Sequence, residues 1–159
     1  MAYVKFIGKT DAAKYKDEDT FRDVINYIGN PLKVSSVGSM NVTGFEKAAE
    51  EMETVAMQAR SSYGKKICHI VISFSDREVY GCHRNDIVGI ALQCMNYFSD
   101  HYQCVFAIHE FPNKHIHLVI NRVSHVDFKR YRDRYEDRQN FWAFLHRLLR
   151  DYGITLWNI

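Results

Sequence analysis

The sequence YQCVFAIHEFPNKHIHLVINRVS, residues 102–124, contains two apolar runs separated by a short polar segment. Residues 102–111 and 115–124 are rich in Val, Ile and Phe, which are residue types that β-strands favour. Between them, residues 112–114 read Pro-Asn-Lys, which is typical of a turn. This stretch therefore predicts a β-hairpin.

Three of the eight histidines of the chain lie in this hairpin, at His109, His115 and His117. Successive side chains of a strand point to opposite faces, so these odd-numbered residues share one face. If residue 111 pairs with residue 115, His109 lies opposite His117. The other face then carries apolar residues, namely Ile108, Ile116, Leu118 and Ile120. Three converging imidazoles indicate a metal site with open coordination positions, which is typical of catalytic metals. The alternative is a hairpin whose histidines only face solvent.

The flanking sequence predicts the other elements by the same periodicity rules. Further strands are predicted at residues 1–8, 67–74 and 154–159, and helices at residues 20–28, 43–60, 84–98 and 136–151. Residues 34–43, VSSVGSMNVT, are small and polar and predict a flexible loop. This order of elements predicts an α+β fold, with a mainly antiparallel central sheet and helices packed on it.

Composition predicts a single domain over residues 1–159. Apolar residues make up 47% of the chain and charged residues 25%, so disorder is not expected. The four cysteines form no C-x-x-C pair, which indicates free thiols in a reducing compartment; they are Cys68, Cys82, Cys94 and Cys104. Neither a signal peptide nor a membrane span is evident, so we expect a cytoplasmic protein with no membrane partner.

The charge is distributed unevenly along the chain. Residues 1–110 carry 12 Lys and Arg against 14 Asp and Glu, whereas residues 111–159 carry 9 against 5. An anionic partner is therefore expected at the C-terminal third. In that third, cations alternate with Tyr131 and Tyr135, a mixture that suits single-stranded DNA. The cations are Lys129, Arg130, Arg132 and Arg134. A solvated charged loop is the alternative.

Tyr27 lies at the edge of the apolar stripe of the first predicted helix, where its phenol can face out of the core. The stripe consists of Phe21, Val24, Ile25 and Ile28. Periodicity alone favours a tyrosine that packs on the sheet.

Several segments together resemble one protein family. The segment from His109 to Asn121, HEFPNKHIHLVIN, is similar to the His-hydrophobic-His motif of the HUH endonucleases, in particular the relaxases of plasmids and integrative conjugative elements. Residues 21–33, FRDVINYIGNPLK, resemble the relaxase nucleophile segment, in which Asn-Pro-x-Lys follows the tyrosine and a hydrophobic residue. Residues 68–74, CHIVISF, resemble its central strand, and residues 121–154 its closing portion. The resemblance covers nearly the whole chain, in order.

The resemblance implies strand-specific nicking and rejoining of DNA at an origin of transfer. Tyr27 would be the nucleophile and would form a 5′-phosphotyrosine. His109, His115 and His117 would hold one divalent ion. The family implies Mn²⁺ or Mg²⁺, and the imidazole donors would also suit Zn²⁺, Co²⁺ or Ni²⁺. The implied partners are single-stranded DNA, relaxosome accessory proteins and coupling proteins.

Four further residues are candidates for supporting roles at this site. Lys33 would contact a phosphate, or it is a solvated surface lysine. His69, Glu110 and Asn121 are candidates for orienting the metal-binding histidines, although His69 could equally be a core histidine. Many relatives carry an Asp two residues after the first histidine, where this chain has Phe111.

Other functions are compatible with the same residues. A rolling-circle replication initiator or a single-strand transposase would also combine a tyrosine with a histidine pair. A three-histidine metallohydrolase of a small substrate would leave Tyr27 structural, and an inactive DNA-binding relic would give no product. Tyr15 is the second candidate nucleophile, although it lacks the Asn-Pro-x-Lys that follows Tyr27.

Overall fold

A five-stranded antiparallel sheet forms the centre of the computed structural model, which describes residues 1–7, 19–60, 64–75 and 84–157. The strand order is β1-β3-β5-β4-β2, and every neighbouring pair is antiparallel. The strands are β1 (Ala2–Ile7), β2 (Val34–Met40), β3 (Ile67–Phe74), β4 (Cys104–His109) and β5 (His115–Asn121). The predicted α+β class with an antiparallel sheet is confirmed.

Helices cover both faces of the sheet. They are α1 (Thr20–Ile28), α2 (Ala48–Ala56), α3 (Arg84–Asn96) and α4 (Tyr135–Asp151). The helices α1 and α2 pack on the face that carries Val105, Ala107 and Val119, and the predicted apolar stripe of α1 is buried there. The helices α3 and α4 pack on the other face, against a larger core that includes Phe106 and Leu118. The histidines of the hairpin share the first face, because they have the same parity as Val105 and Val119.

The predicted flexible loop at residues 34–43 is wrong over most of its length, because residues Val34–Met40 form the edge strand β2. This strand pairs with β4, which supplies hydrogen-bonding partners that no local pattern reveals. Gly38 lies against the ring of Phe106, and a Cβ atom at that position would be 2.2 Å from the Phe106 Cε1 atom. A small residue is therefore required where the sequence suggests only flexibility.

The second helix is shorter than predicted. A 3₁₀ turn at Phe45–Lys47 precedes α2, which ends at Ala56 rather than near Arg60. Thr43, the first residue of the predicted helix, lies before the 3₁₀ turn. Its backbone N–H and hydroxyl bond the Glu51 carboxylate, the former at 2.8 Å.

The predicted closing strand at residues 154–159 is reduced to a single parallel bridge between Leu156 and Ala2 within the described residues. Two backbone hydrogen bonds flank it: Ala2 N–H donates to Thr155 at 2.8 Å, and Trp157 N–H donates to Ala2 at 3.0 Å. The C-terminal segment therefore covers the start of the edge strand β1 without forming a strand of its own.

The predicted hairpin exists, but its register differs from the prediction. His109 pairs with His115, and His117 pairs with Ala107. The turn prediction assumed a three-residue loop, whereas residues 110–114 all lie outside the strands. The difference in register is two residues, so it preserves parity and keeps the three histidines on one face.

Two further expectations concern the cysteines and membranes. Cys68, Cys94 and Cys104 are buried free thiols, and burial raises the pKa of Cys68 to about 12. Cys82 lies outside the described residues. Among the helices in the described ranges, none has the length and apolarity that crossing a membrane requires.

Candidate metal centre

Three histidines converge where β4 ends and β5 begins. His109 is the last residue of β4, His115 is the first of β5, and His117 follows on the same face. One ring nitrogen from each lies within 4.8 Å of the others, and the ring centroids are 4.5 to 4.9 Å apart. The structure thus brings together the three residues that the sequence predicts to share a face.

Two of the three imidazoles are oriented by backbone carbonyl groups. His109 Nε2 lies 2.6 Å from the carbonyl oxygen of Ile28, at the end of α1. His115 Nδ1 lies 2.6 Å from the carbonyl oxygen of Asn113, in the hairpin loop. A carbonyl oxygen only accepts, so each of these ring nitrogens carries the proton. The lone pair is left on the other nitrogen of each ring, which is the arrangement of metal-binding histidines.

His69, on the neighbouring strand β3, orients the third imidazole. Its Nε2 atom lies 2.9 Å from Nδ1 of His117, and both side chains are buried. Within the described ranges, Nε2 of His117 is buried without a hydrogen-bond partner. A buried polar atom without a partner is costly unless something binds it. The structure places His69 against the candidate metal ligands rather than elsewhere in the core.

Burial keeps His69, His115 and His117 neutral near pH 7. Burial, together with the neighbouring histidines, lowers the pKa of His117 to about 2. Burial lowers the pKa of His69 to about 4 and also lowers that of His115. Neutral imidazole is the form that binds metal ions, so this donor set fits a divalent transition-metal ion.

Tyr27 lies at the edge of this cluster. Its side chain is 57% exposed, and its ring centroid is 6.1 Å from that of His117 in an edge-on arrangement. The buried stripe of α1 fixes the helix on the sheet, and the bond from His109 to Ile28 ties its last turn to the histidines. The phenol is therefore both accessible and held beside the imidazoles.

Lys33 belongs to the same site. Its Nζ atom lies 5.7 Å from the centroid of the Tyr27 ring. The backbone N–H of Lys33 donates to the Asn30 carbonyl oxygen at 2.9 Å, so the Asn-Pro-x-Lys segment forms a turn that returns Lys33 over the tyrosine. The turn leads directly into β2, whose first residue, Val34, pairs with His109.

Two candidate orienting residues have other partners among the described residues. The carboxylate of Glu110 pairs with Lys114 Nζ at 3.3 Å. Asn121 is buried and donates to the carbonyl oxygen of Met52 at 3.0 Å and to Gln103 at 2.9 Å. It lies four residues along β5 from His117, which is about 13 Å. His69 and the carbonyl groups of the chain hold the imidazoles instead.

The basic stretch in the C-terminal third lies at the opposite end of the sheet. Arg130 bridges to Val123, which is six residues beyond His117, a separation of about 20 Å along β5. A cavity of about 560 Å³ lies there and is lined in part by four cations. These are Arg60, Lys129, Arg130 and Arg132. A DNA strand would have to span this distance to contact both the cavity and the histidines.

The two tyrosines of that stretch differ in how exposed their rings are. Tyr131 is half-buried and packs against Phe98 and Tyr102, which leaves only part of its ring accessible. Tyr135 is exposed at the start of α4, next to Arg134. Of the two predicted stacking rings, Tyr135 is therefore the more accessible.

Sequence reasoning did not identify the Ile28 and Asn113 carbonyl groups, since every residue carries a carbonyl and no side-chain pattern marks these two. Tyr15, the second candidate nucleophile, lies outside the described residues.

Comparisons with known proteins agree with this geometry. The family model for "Relaxase: MobA/VirD2-like, nuclease domain" matches residues 27–154, from the exposed tyrosine past the histidine hairpin. A comparison with curated protein sequences finds no significant match.

Three solved structures share the fold at 11 to 13% identity. One is described as "Molecular Basis of Vancomycin Resistance Transfer in Staphylococcus aureus", with a TM-score of 0.65, 11% identity and coverage of 99% of this chain and 96% of that chain. The MobM relaxase domain bound to plasmid pMV158 oriT DNA, in a Mn-bound crystal, has a TM-score of 0.62 at 11% identity, covering 98% and 87%. The same domain with a 26-nucleotide oriT DNA has a TM-score of 0.58 at 13% identity, covering 99% and 88%.

At such identities the likeness establishes the fold, whereas the family model spans most of the chain and includes the tyrosine and all three hairpin histidines. The chain belongs to the MobA/VirD2-like relaxases, as a nuclease domain of that family.

Proposed function

We propose that this relaxase domain nicks and rejoins one strand of DNA at an origin of transfer, with Tyr27 as the nucleophile. The observation that carries the proposal is the exposed phenol of Tyr27, which lies edge-on to His117 within a cluster of three converging histidines. The family explains why a tyrosine and a histidine cluster occur together, and it favours a relaxase over a rolling-circle initiator or a transposase.

His109, His115 and His117 would hold one divalent ion through the nitrogens that carry no proton. When bound, such an ion polarises the non-bridging oxygens of a phosphodiester and stabilises the charge that develops on them. Three imidazole donors favour Mn²⁺ over Mg²⁺. The MobM relaxase domain, which shares the fold, is described as Mn-bound, which supports the choice of Mn²⁺ as the ion to test first.

The covalent step uses the tyrosine oxygen. The Tyr27 oxygen attacks the scissile phosphorus, the bond from phosphorus to the 3′ oxygen breaks, and the DNA is left with a free 3′-hydroxyl. The phenol proton passes to water, since the side chain is exposed, and the leaving 3′ oxygen takes a proton. The 5′ phosphate stays on Tyr27, so attack by a 3′-hydroxyl reverses the step and rejoins the strand. Lys33, beside the tyrosine ring, would contact the same phosphate.

The proposed substrate is single-stranded DNA from an origin of transfer. The MobM structures, which share the fold, contain oriT DNA. The basic cavity at the far end of the sheet would bind phosphates distant from the nick, through Lys129, Arg130 and Arg132. Arg134, two residues further along the chain, would add another phosphate contact. Relaxosome accessory proteins and a coupling protein are further proposed partners, which would bring the nicked strand to a transfer apparatus.

The test is covalent capture of DNA. Single-stranded oligonucleotides that tile the DNA beside the gene are labelled at the 3′ end, because the 3′ fragment carries the phosphate that joins the protein. Incubation with Mn²⁺ should give a slowly migrating species that survives denaturation. Tyr27→Phe should abolish it, whereas Tyr3→Phe, at an exposed tyrosine on β1, should not.

Equal adduct from Tyr27→Phe and wild type would contradict the assignment. A protein that binds Mn²⁺ but forms no adduct with any oligonucleotide would instead favour a metallohydrolase of a small substrate. A protein that binds the DNA without any product would be an inactive relic.

A further inference from the structure

Two large apolar side chains near the histidine cluster are exposed to solvent. Leu32 is 94% exposed and Phe111 is 84% exposed, which are the highest values among the large apolar residues of the described ranges. Single exposed apolar residues are common on protein surfaces, whereas neighbouring ones beside a candidate site indicate a contact surface. Their location is therefore informative.

The strand register places these two residues at the same end of the sheet. Val34, the first residue of β2, pairs with His109, the last residue of β4. Leu32 lies two residues before Val34, and Phe111 lies two residues after His109. Since the two strands are antiparallel, both segments leave the sheet at the same end. Two residues span at most about 7 Å, so Leu32 lies within that distance of Val34 and Phe111 within that distance of His109.

Both segments are anchored by hydrogen bonds. The backbone N–H of Leu32 donates to Asn30 Oδ1 at 3.0 Å. In the hairpin loop, Glu110 pairs with Lys114 at 3.3 Å, and the Lys114 carbonyl accepts from the Phe74 N–H at 2.9 Å. The exposed side chains therefore project from segments that are fixed to the rest of the fold.

The charge beside this pair of residues indicates the ligand. Lys33 follows Leu32 and lies over the exposed ring of Tyr27. A cation next to accessible apolar and aromatic side chains matches single-stranded DNA, in which both phosphates and base faces are available. Duplex DNA hides its base faces, and a purely apolar partner would offer Lys33 no anionic group.

We propose that Phe111 and Leu32 form a base-binding subsite, in which Phe111 stacks on the nucleobase next to the scissile phosphate and Leu32 packs against the same base. This inference rests on the proposed function, because the base is located relative to the phosphate that Tyr27 attacks. The subsite orients the strand, so Phe111 and Leu32 are positioning residues.

The first test introduces a fluorescent ring at the subsite. Phe111→Trp is made in a Tyr27→Phe background, which removes the proposed nucleophile, and is titrated with oligothymidylate of about 20 nucleotides. Stacking should quench the added indole fluorescence, and an oligothymidylate–oligoadenylate duplex should quench it much less. Leu92→Trp, at an exposed position of α3 on the other face, is the matched control and should show no such quenching. Equal quenching at both positions, or none at position 111, would overturn the proposal.

The second test measures affinity for the same oligothymidylate. Phe111→Ala should weaken binding about 5- to 100-fold, the range that loss of one stacked base produces, and Leu32→Ala should weaken it less. Phe111→Tyr should restore binding, and Leu92→Ala should leave it unchanged. Phe111→Ala should keep wild-type affinity for Mn²⁺. Unchanged DNA binding, or a parallel loss of Mn²⁺ binding, would contradict a base-binding role.

The two proposals can fail separately. Quenching at position 111 without any covalent adduct would support the subsite and reject Tyr27 as nucleophile. A covalent adduct on Tyr27 without quenching at position 111 would support the nucleophile and reject the subsite.

Discussion

At the residue scale, the site depends on how each imidazole is oriented. The Ile28 and Asn113 carbonyl groups fix two of them, and the buried His69 fixes His117. Strand parity was sufficient to place the three histidines on one face from the sequence, and the Asn-Pro-x-Lys segment was sufficient to single out Lys33 as a candidate. The orienting groups could not be found in this way, since two are backbone atoms and the third lies 48 residues away from its partner.

The His69 contact predicts a specific loss of metal affinity. His69→Ala should lower the affinity for Mn²⁺ about 10- to 100-fold, because His117 loses the partner that fixes its ring. His69→Gln offers an acceptor at a similar position and should recover part of the loss. Isothermal titration calorimetry with Mn²⁺ measures both. Wild-type affinity in His69→Ala would show that His69 is only a core residue.

The lowered histidine pKa values predict an acid-sensitive metal-free protein. The pKa of His69 is about 4 in the fold and about 6.5 in the unfolded chain, so below pH 6.5 the unfolded chain binds the proton first. Stability is therefore fully present above pH 6.5 and is lost as the pH falls toward 4. For His69 alone the loss is about 2 kcal/mol at pH 5.

Urea unfolding with a chelator present, at pH 7.5 and pH 5, measures this loss. The buried His117 should add to it in the same direction. His69→Gln should show a smaller difference between the two pH values. Equal stability of the wild type at the two pH values would contradict the claim that these histidines are buried and neutral.

At the element scale, the edge strand β2 shows where local patterns fail. The hairpin and β3 were predictable because their Ile and Val content indicates strands without reference to a partner. In contrast, β2 is small and polar, and only its pairing with β4 makes it a strand. The same applies to residues 154–159, where the available partner, Ala2, accepts a single bridge within the described residues.

The contact between β2 and β4 predicts a local steric effect. Gly38→Ala should destabilise the protein by about 1–3 kcal/mol, because the new Cβ atom would approach the buried ring of Phe106 to 2.2 Å. Gly44→Ala is the matched control, since nothing lies within 4 Å of a Cβ atom there. Thermal unfolding of both variants measures the difference. Equal melting temperatures would show that Phe106 moves aside freely.

At the scale of the whole molecule, the sheet separates two candidate sites along its length. The histidines and Tyr27 lie where β4 meets β5, while the basic cavity lies about 20 Å away at the other end of β5. Charge asymmetry in the sequence predicted an anionic partner at the C-terminal third, where the basic cavity lies. It could not show that the strand direction carries this stretch away from the histidines, because that depends on the register of the whole sheet.

This separation predicts how DNA length affects binding. Lys129→Ala combined with Arg132→Ala should weaken binding to an oligonucleotide long enough to reach the cavity and leave a short one unaffected. For the long oligonucleotide, the slope of log binding constant against log salt concentration should become shallower by about 1.4, since two phosphate contacts are lost. Fluorescence anisotropy at several salt concentrations measures it, with Lys5→Ala on β1 as the control. An unchanged slope would show that the DNA does not contact Lys129 and Arg132.

The central claim is that Tyr27 carries the DNA, and mass spectrometry of the adduct tests it directly. After nuclease trimming and digestion with trypsin, Tyr27 lies in the peptide of residues 23–33, DVINYIGNPLK, whereas Tyr15 lies in a different peptide. The nucleotide mass should be found on Tyr27 in this peptide. Attachment to Tyr15, to a histidine or to any other residue would contradict the proposed mechanism.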